Sequence, residues 1–218
     1  MDIDLIKSCL NSSDPQDRMK GVRELRDCEP DVAIPLLKSC IKDREFLVRS
    51  FVAMGLGRKQ SAESFAALLE MIKFDSDPNV RAEAANSLSL YGSVSISHLT
   101  LMFERDEHWL VRRSIIAALA DLDCPQEFFE VCAIGLEGED LTVKESCINC
   151  LSRFANTDKQ DAALKKLLPL TEDEYWRTRM QTARSLGKFN CDRAIEALKR
   201  LRTDGDHRVV GAVLENLV

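Results

Sequence analysis

Cys147 and Cys150 form a C-x-x-C, a spacing that can hold a metal ion or support thiol–disulfide exchange. A zinc site needs further ligands, and no second C-x-x-C or His pair stands near this one in the chain. Cys9, Cys28, Cys40, Cys124, Cys132 and Cys191 show no ligand spacing, and free cysteines are among the most buried residues, so all these thiols are expected to be small core residues without metal. The three histidines, His98, His108 and His207, have no H-E-x-x-H frame around them, and His108 and His207 read first as solvated turn residues. There is no glycine-rich phosphate loop and no G-x-S-x-G, so no catalytic set is expected.

Charged pairs give a second candidate chemistry. A basic residue returns at Arg18, Arg49, Arg81, Arg112, Lys144 and Arg179, an interval of about 31 residues or slightly more. An Asp stands six residues ahead of four of them, giving Asp43/Arg49, Asp75/Arg81, Asp106/Arg112 and Asp173/Arg179. Such pairs are either a charged site repeated along a groove or a structural ladder between units. The last unit favours the ladder, because Val210 stands where the Arg would be and no further unit follows to be joined.

The elements that position these residues are the repeats themselves. The frame is clearest from Asp75 to Leu88 and recurs from Asp43 to Leu56, Asp106 to Leu119 and Asp173 to Leu186. Looser copies run from Ser12 to Leu25, Gly138 to Leu151 and Asp204 to Leu217. A period in this range signals a stacked repeat, since one helical pair cannot bury its apolar face alone. The chain is therefore read as an all-α solenoid in one continuous domain, with units at approximately 1–28, 29–57, 58–91, 92–121, 122–155, 156–188 and 189–218. Each unit is a helix A, a turn and a helix B, which predicts fourteen helices. In the third, Phe65, Leu68, Leu69 and Ile72 form the stripe of helix A, Asp77 and Pro78 open helix B, and Val80, Ala84, Ala85 and Leu88 face inward. Asp14-Pro15 and Cys124-Pro125 open further helices, Pro35 falls inside one, and Gly57, Gly92 and Gly187 are read as following helix B ends.

Composition agrees with a packed, ordered chain: hydrophobic residues make up 45% and charged ones 30% of 218 residues. A net charge of −6 argues against nucleic acid as partner, because wrapping a phosphate backbone depends on clustered cations. No apolar stretch approaches a membrane span, and Met1-Asp2-Ile3-Asp4 lacks the character of a signal peptide, so a cytoplasmic location is expected.

The D-x5-[V/x]-R-x6-L pattern resembles the HEAT repeat over essentially the whole chain. Val48-Arg49 to Leu56-Gly57 is similar to the phycobilisome-lyase HEAT-like group of cyanobacteria. That resemblance implies an α-solenoid whose Asp and Arg residues form a ladder, each Arg bridging turn carbonyls and Asp side chains of adjacent units. It also implies an alternative function, a bilin lyase or chromophore-handling protein acting on phycobiliproteins, in which Trp109 and Trp176 would hold an open-chain tetrapyrrole and Arg113 or Arg184 would meet its propionates. A weaker alternative is a partner of an iron–sulphur cluster scaffold through exposed thiols.

Helix B lines the inner side of such solenoids, which places Lys20, Arg23, Ser50, Phe51, Met54, Glu83, Asn86, Arg113, Ser114, Glu145, Asn149, Gln181 and Arg184 toward a partner. Phe51 and Met54 are the apolar anchors in this chemically mixed set; the plainer alternative is a face that only keeps the protein soluble. Phe46, His108-Trp109 and Tyr175-Trp176 recur at the start of helix B and would line one rim, either for stacking a partner or for packing between turns. The apolar last helix, with Val209, Val210, Val213, Leu214, Leu217 and Val218, is expected to dock a partner or make a homodimer contact. The reading carried forward is a non-catalytic repeat protein that binds another protein as an adaptor or assembly factor.

Overall fold

The computed structural model describes residues 2–216; Met1, Leu217 and Val218 lie outside the described residues. Fourteen α-helices and no strand occur among the described residues. They form seven pairs: α1 (Ile3–Leu10) with α2 (Pro15–Glu24), α3 (Pro30–Ser39) with α4 (Phe46–Lys59), α5 (Ala62–Phe74) with α6 (Pro78–Ser89), α7 (Ile96–Arg105) with α8 (Trp109–Ala120), α9 (Pro125–Glu137) with α10 (Leu141–Leu151), α11 (Gln160–Leu167) with α12 (Trp176–Leu186), and α13 (Asp192–Leu201) with α14 (His207–Glu215). By fold class the chain is the expected all-α solenoid. None of these helices is long and apolar enough to cross a membrane.

Two compact units divide the chain, Met1–Cys124 and Pro125–Val218. In the first, the B helices α2, α4, α6 and α8 stack in succession and α3, α5 and α7 follow one another beside them. In the second, α10, α12 and α14 stack in the same way. Leu56, Leu88, Phe103 and Ile115 are fully buried in the first unit and Cys132, Ile148, Leu164 and Leu186 in the second. Burying one such large apolar side chain contributes about 1.5–3 kcal/mol, so packing between repeats is what holds these short helices.

The turns start the B helices. Asp14, Asp77, Asp140 and Asp206 each accept the N–H of the residue two further on, and Pro15 and Pro78 fill the first helical position, where a missing N–H leaves nothing unsatisfied. Pro35 lies inside α3, as expected. Gly57 differs from expectation. It does not follow the helix but sits within α4, which runs on to Lys59 and ends at Gln60 with a φ of 45°. A Cβ on Gly57 would lie 2.7 Å from the Cβ of Ser87, so glycine here lets α4 and α6 touch. Gly92 has a φ of 68°, a left-handed conformation that suits glycine.

The last helix is partly covered from within its own unit. Val209, Ala212 and Val213 are not an exposed apolar surface but pack with Ala183 and Leu201, with Trp176, Met180 and Leu198 against them. Asn216 closes the helix end by donating to the carbonyls of Ala183 and Ala212. Val210 is half-buried and Leu214 is 46% exposed, while Leu217 and Val218 lie outside the described residues.

Candidate functional site

The recurring charges are joined between repeats, not within them. Arg49 Nε and Nη2 donate to Asp75 at 2.7 and 2.8 Å, while Nη1 reaches back to the carbonyl of Asp43 at 2.8 Å. Arg18 binds Asp43, Arg81 binds Asp106 and Arg179 binds Asp204 with the same two-pronged geometry. The Asp side chains also accept an N–H two residues on, Asp75 from Asp77 and Asp173 from Tyr175. Sequence neighbours such as Asp43 and Arg49 thus belong to different rungs. Arg112 is the exception: its Nε donates to the carbonyl of Asp106 at 2.7 Å and its guanidinium lies over Phe103. Lys144 approaches Asp173 only at 4.0 Å, a poorer contact than the Arg fork provides.

These rungs carry a pH signature. Burial pushes the Asp43 carboxyl up, but the hydrogen bonds from Arg18 and the Glu45 N–H outweigh it and hold the group below its ordinary 3.8. The Arg179 guanidinium does the same for Asp204, against the effect of burial. A carboxyl depressed in the folded state contributes stability that is fully present above its unfolded value and lost as pH falls through the folded one. The thermal midpoint is therefore expected to fall as pH drops below 3.8, and Arg18→Gln should reduce that acid sensitivity in a circular dichroism pH series.

A cavity of about 700 Å³ opens beside this ladder between Ile72, Phe74, Met102 and His108. Three of its polar side chains, Asp75, Arg81 and Asp106, are already bound in rungs, so the groups there serve the fold. His108 Nδ1 accepts the Leu110 N–H and caps α8.

The aromatic rim is uneven. Trp109 is 40% exposed and stacks on His108, and Phe46 and Tyr175 are exposed. Trp176 is not an open ring: the Arg208 guanidinium lies 3.3 Å from its centroid, and the indole packs against the core around Val209. That packing removes it as a free stacking surface.

The B-helix positions of the first unit do come together. Phe51 and Met54, both half-buried on α4, line a cleft of about 330 Å³ with Val22, Arg23, Arg26 and Arg58. Arg26 has Asp27 at 3.9 Å, whereas Lys20, Arg23 and Arg58 are exposed and have no ion-pair partner among the described residues. Beside them Glu83 is half-buried, and burial raises its carboxyl against a hydrogen bond from Asn86 and the charge of Arg58. Asn86 and Arg113 are exposed on α6 and α8. In the second unit Arg184, at the repeat position of Arg23, binds Glu215 at 2.9 Å, Arg177 binds Glu145 at 3.1 Å, and Gln181 is half-buried beside Arg184. Sequence reading missed Arg58 because it ended helix B at Gly57; continuing α4 by one turn puts Arg58 four residues after Met54, on the same side.

All eight cysteines are free thiols. Cys132 on α9 hydrogen-bonds with Cys147 and Cys150 on α10; these bonds and then burial drive its pKa up, while the bond from Cys132 lowers that of Cys150. No group of three or more His, Cys, Asp or Glu suited to a metal ion occurs among the described residues. Cys150 is the half-buried member of the trio, while Cys132 and Cys147 are fully buried. Iodoacetamide should therefore modify Cys150, Cys9, Cys28 and Cys191 of the native protein well before Cys40, Cys124, Cys132 and Cys147. Peptide mass spectrometry over a labelling time course checks that order.

A family model described as HEAT repeats matches residues 34–120 and 130–218. Among solved structures, the chain is similar to Escherichia coli YibA, with 15% identity over 100% of this chain and 92% of that one and a TM-score of 0.62. It is also similar to the complex of CpcE and CpcF of phycocyanin lyase from Nostoc sp. PCC7120, with 15% identity over 99% and 95% and a TM-score of 0.54. An engineered protein gives 17% identity over 100% and 68% and a TM-score of 0.54. These likenesses are of fold. No curated protein matches the chain.

Proposed function

Because the chain belongs to the HEAT-repeat family, in which helix pairs stack to present an extended side-chain surface, we propose that it is a non-catalytic adaptor or assembly factor. It binds a protein partner through the B-helix face of its first unit. The observation that carries this reading is the cleft at Phe51 and Met54, where two half-buried apolar side chains lie among exposed Arg23, Arg26 and Arg58. Apolar anchors ringed by polar groups are the usual centre of a protein interface. Exposed Phe46 and Trp109 at the starts of α4 and α8 extend the contact surface. The ladder keeps successive B helices in register and so fixes the spacing of the anchors.

Quantitative capture from a cell lysate tests this. Immobilised wild-type protein is compared with a Phe51→Glu, Met54→Glu variant whose helical circular dichroism is unchanged. Proteins retained by the wild type should be lost from the variant, and a Tyr175→Ala control should keep them. An identical captured set from wild type and the Phe51, Met54 variant would refute the proposal.

A further inference from the structure

The chemistry around the cleft narrows the partner. We infer that the Phe51–Met54 cleft takes an acidic peptide segment carrying a large apolar side chain; this rests on the proposed protein-binding role and specifies its occupant. Three observations support it. The cleft is small, about 330 Å³, with Phe51, Met54 and Val22 as its apolar lining, which fits one or two side chains of a peptide rather than a large cofactor. Arg23 and Arg58 line it, exposed and without an ion-pair partner among the described residues, although the chain as a whole carries a net charge of −6. Cations left unpaired in an otherwise acidic protein mark where an acidic partner is attracted and oriented. Of the acidic residues that line the cleft, Asp27 accompanies Arg26 and Glu24 already has a partner, which leaves Arg23 and Arg58 for a bound segment. In the second unit Arg184, at the repeat position of Arg23, is held by Glu215, so that position offers a free guanidinium only in the first. The apolar lining also separates this occupant from a nucleic acid backbone, which would use the cations and leave Phe51 and Met54 idle.

Fluorescence anisotropy with the full chain tests the inference. The probes are fluorescein-labelled peptides in which a leucine–phenylalanine pair is flanked by glutamates, by serines or by lysines, together with a labelled single-stranded RNA oligomer. The glutamate peptide should bind at least about tenfold more tightly than the serine and lysine peptides. That preference should shrink as salt is raised and vanish in Arg23→Gln, Arg58→Gln protein, while Phe51→Ala weakens the glutamate peptide by a similar factor. Equal binding of the three peptides, binding of none, a preference that survives the arginine substitutions, or RNA binding that ignores Phe51→Ala would each overturn it. If the serine or lysine peptide binds and Phe51→Ala weakens it, the acidic occupant is wrong while the protein-binding face stands.

Discussion

Replacing Asp75 by Ala should destabilise the protein by about 3–5 kcal/mol, read as a lower urea midpoint in equilibrium unfolding. The size follows from what the side chain leaves behind. Asp75 is 6% exposed and receives two bonds from Arg49 and one from the N–H of Asp77. Without it the Arg49 guanidinium, 12% exposed, remains desolvated with only turn carbonyls as acceptors. The cost is that of an uncompensated buried charge and exceeds the net worth of the pair. An Asp75→Asn variant, which can still accept the Asp77 N–H, should fall between the two. An Asp161→Ala change, where the ion pair to Arg193 spans 3.5 Å between largely exposed side chains, should stay within about 1 kcal/mol of wild type.

The second large effect is expected at Gly57. Gly57→Ala improves helix propensity by up to about 1 kcal/mol, which taken alone predicts stabilisation. Packing decides the opposite sign, because the new methyl would meet the Ser87 Cβ at 2.7 Å and its Cα at 3.1 Å. The Cα cannot rotate away, so α4 and α6 must separate, at a cost of about 1–3 kcal/mol. Removing the opposing side chain should relieve it: Gly57→Ala combined with Ser87→Gly should recover much of the loss, giving a coupling energy in a double-mutant cycle. Additive losses would place the strain elsewhere. Arg58 lies one residue beyond Gly57, so Gly57→Ala should also disturb the cleft and weaken peptide binding.

The fold was legible in the sequence because stacked helix pairs repeat their own punctuation. The Asp-Pro and Asp-x-Asp turns, the small residues at Ala84 and Ala85 and the recurring Arg all follow one period, and apart from Arg112 the Arg residues are seen in rungs. Partners across repeats were less legible. The Asp nearest an Arg in sequence offers it only a carbonyl, and the carboxylate comes from the next turn, about 25 residues on, which only the three-dimensional stack reveals. The stacking of Arg208 on the partly buried Trp176 was hidden for the same reason, since an aromatic at a helix start looks alike whether it is open or covered. Phe51 and Met54 could be placed on one face by their spacing, but the cations that surround them belong to two repeats and to a turn of α4 that the glycine seemed to end.

The most direct measurement places the photo-crosslinking residue p-benzoylphenylalanine at Phe51, and separately at Leu101, which is 39% exposed on α7. Each protein is irradiated in a cell lysate and its adducts are resolved by mass. Discrete protein adducts from position 51 and none of the same mass from position 101 are the predicted result. Adducts from position 101 alone, or none from position 51, would contradict the assignment of the B-helix face as the binding surface.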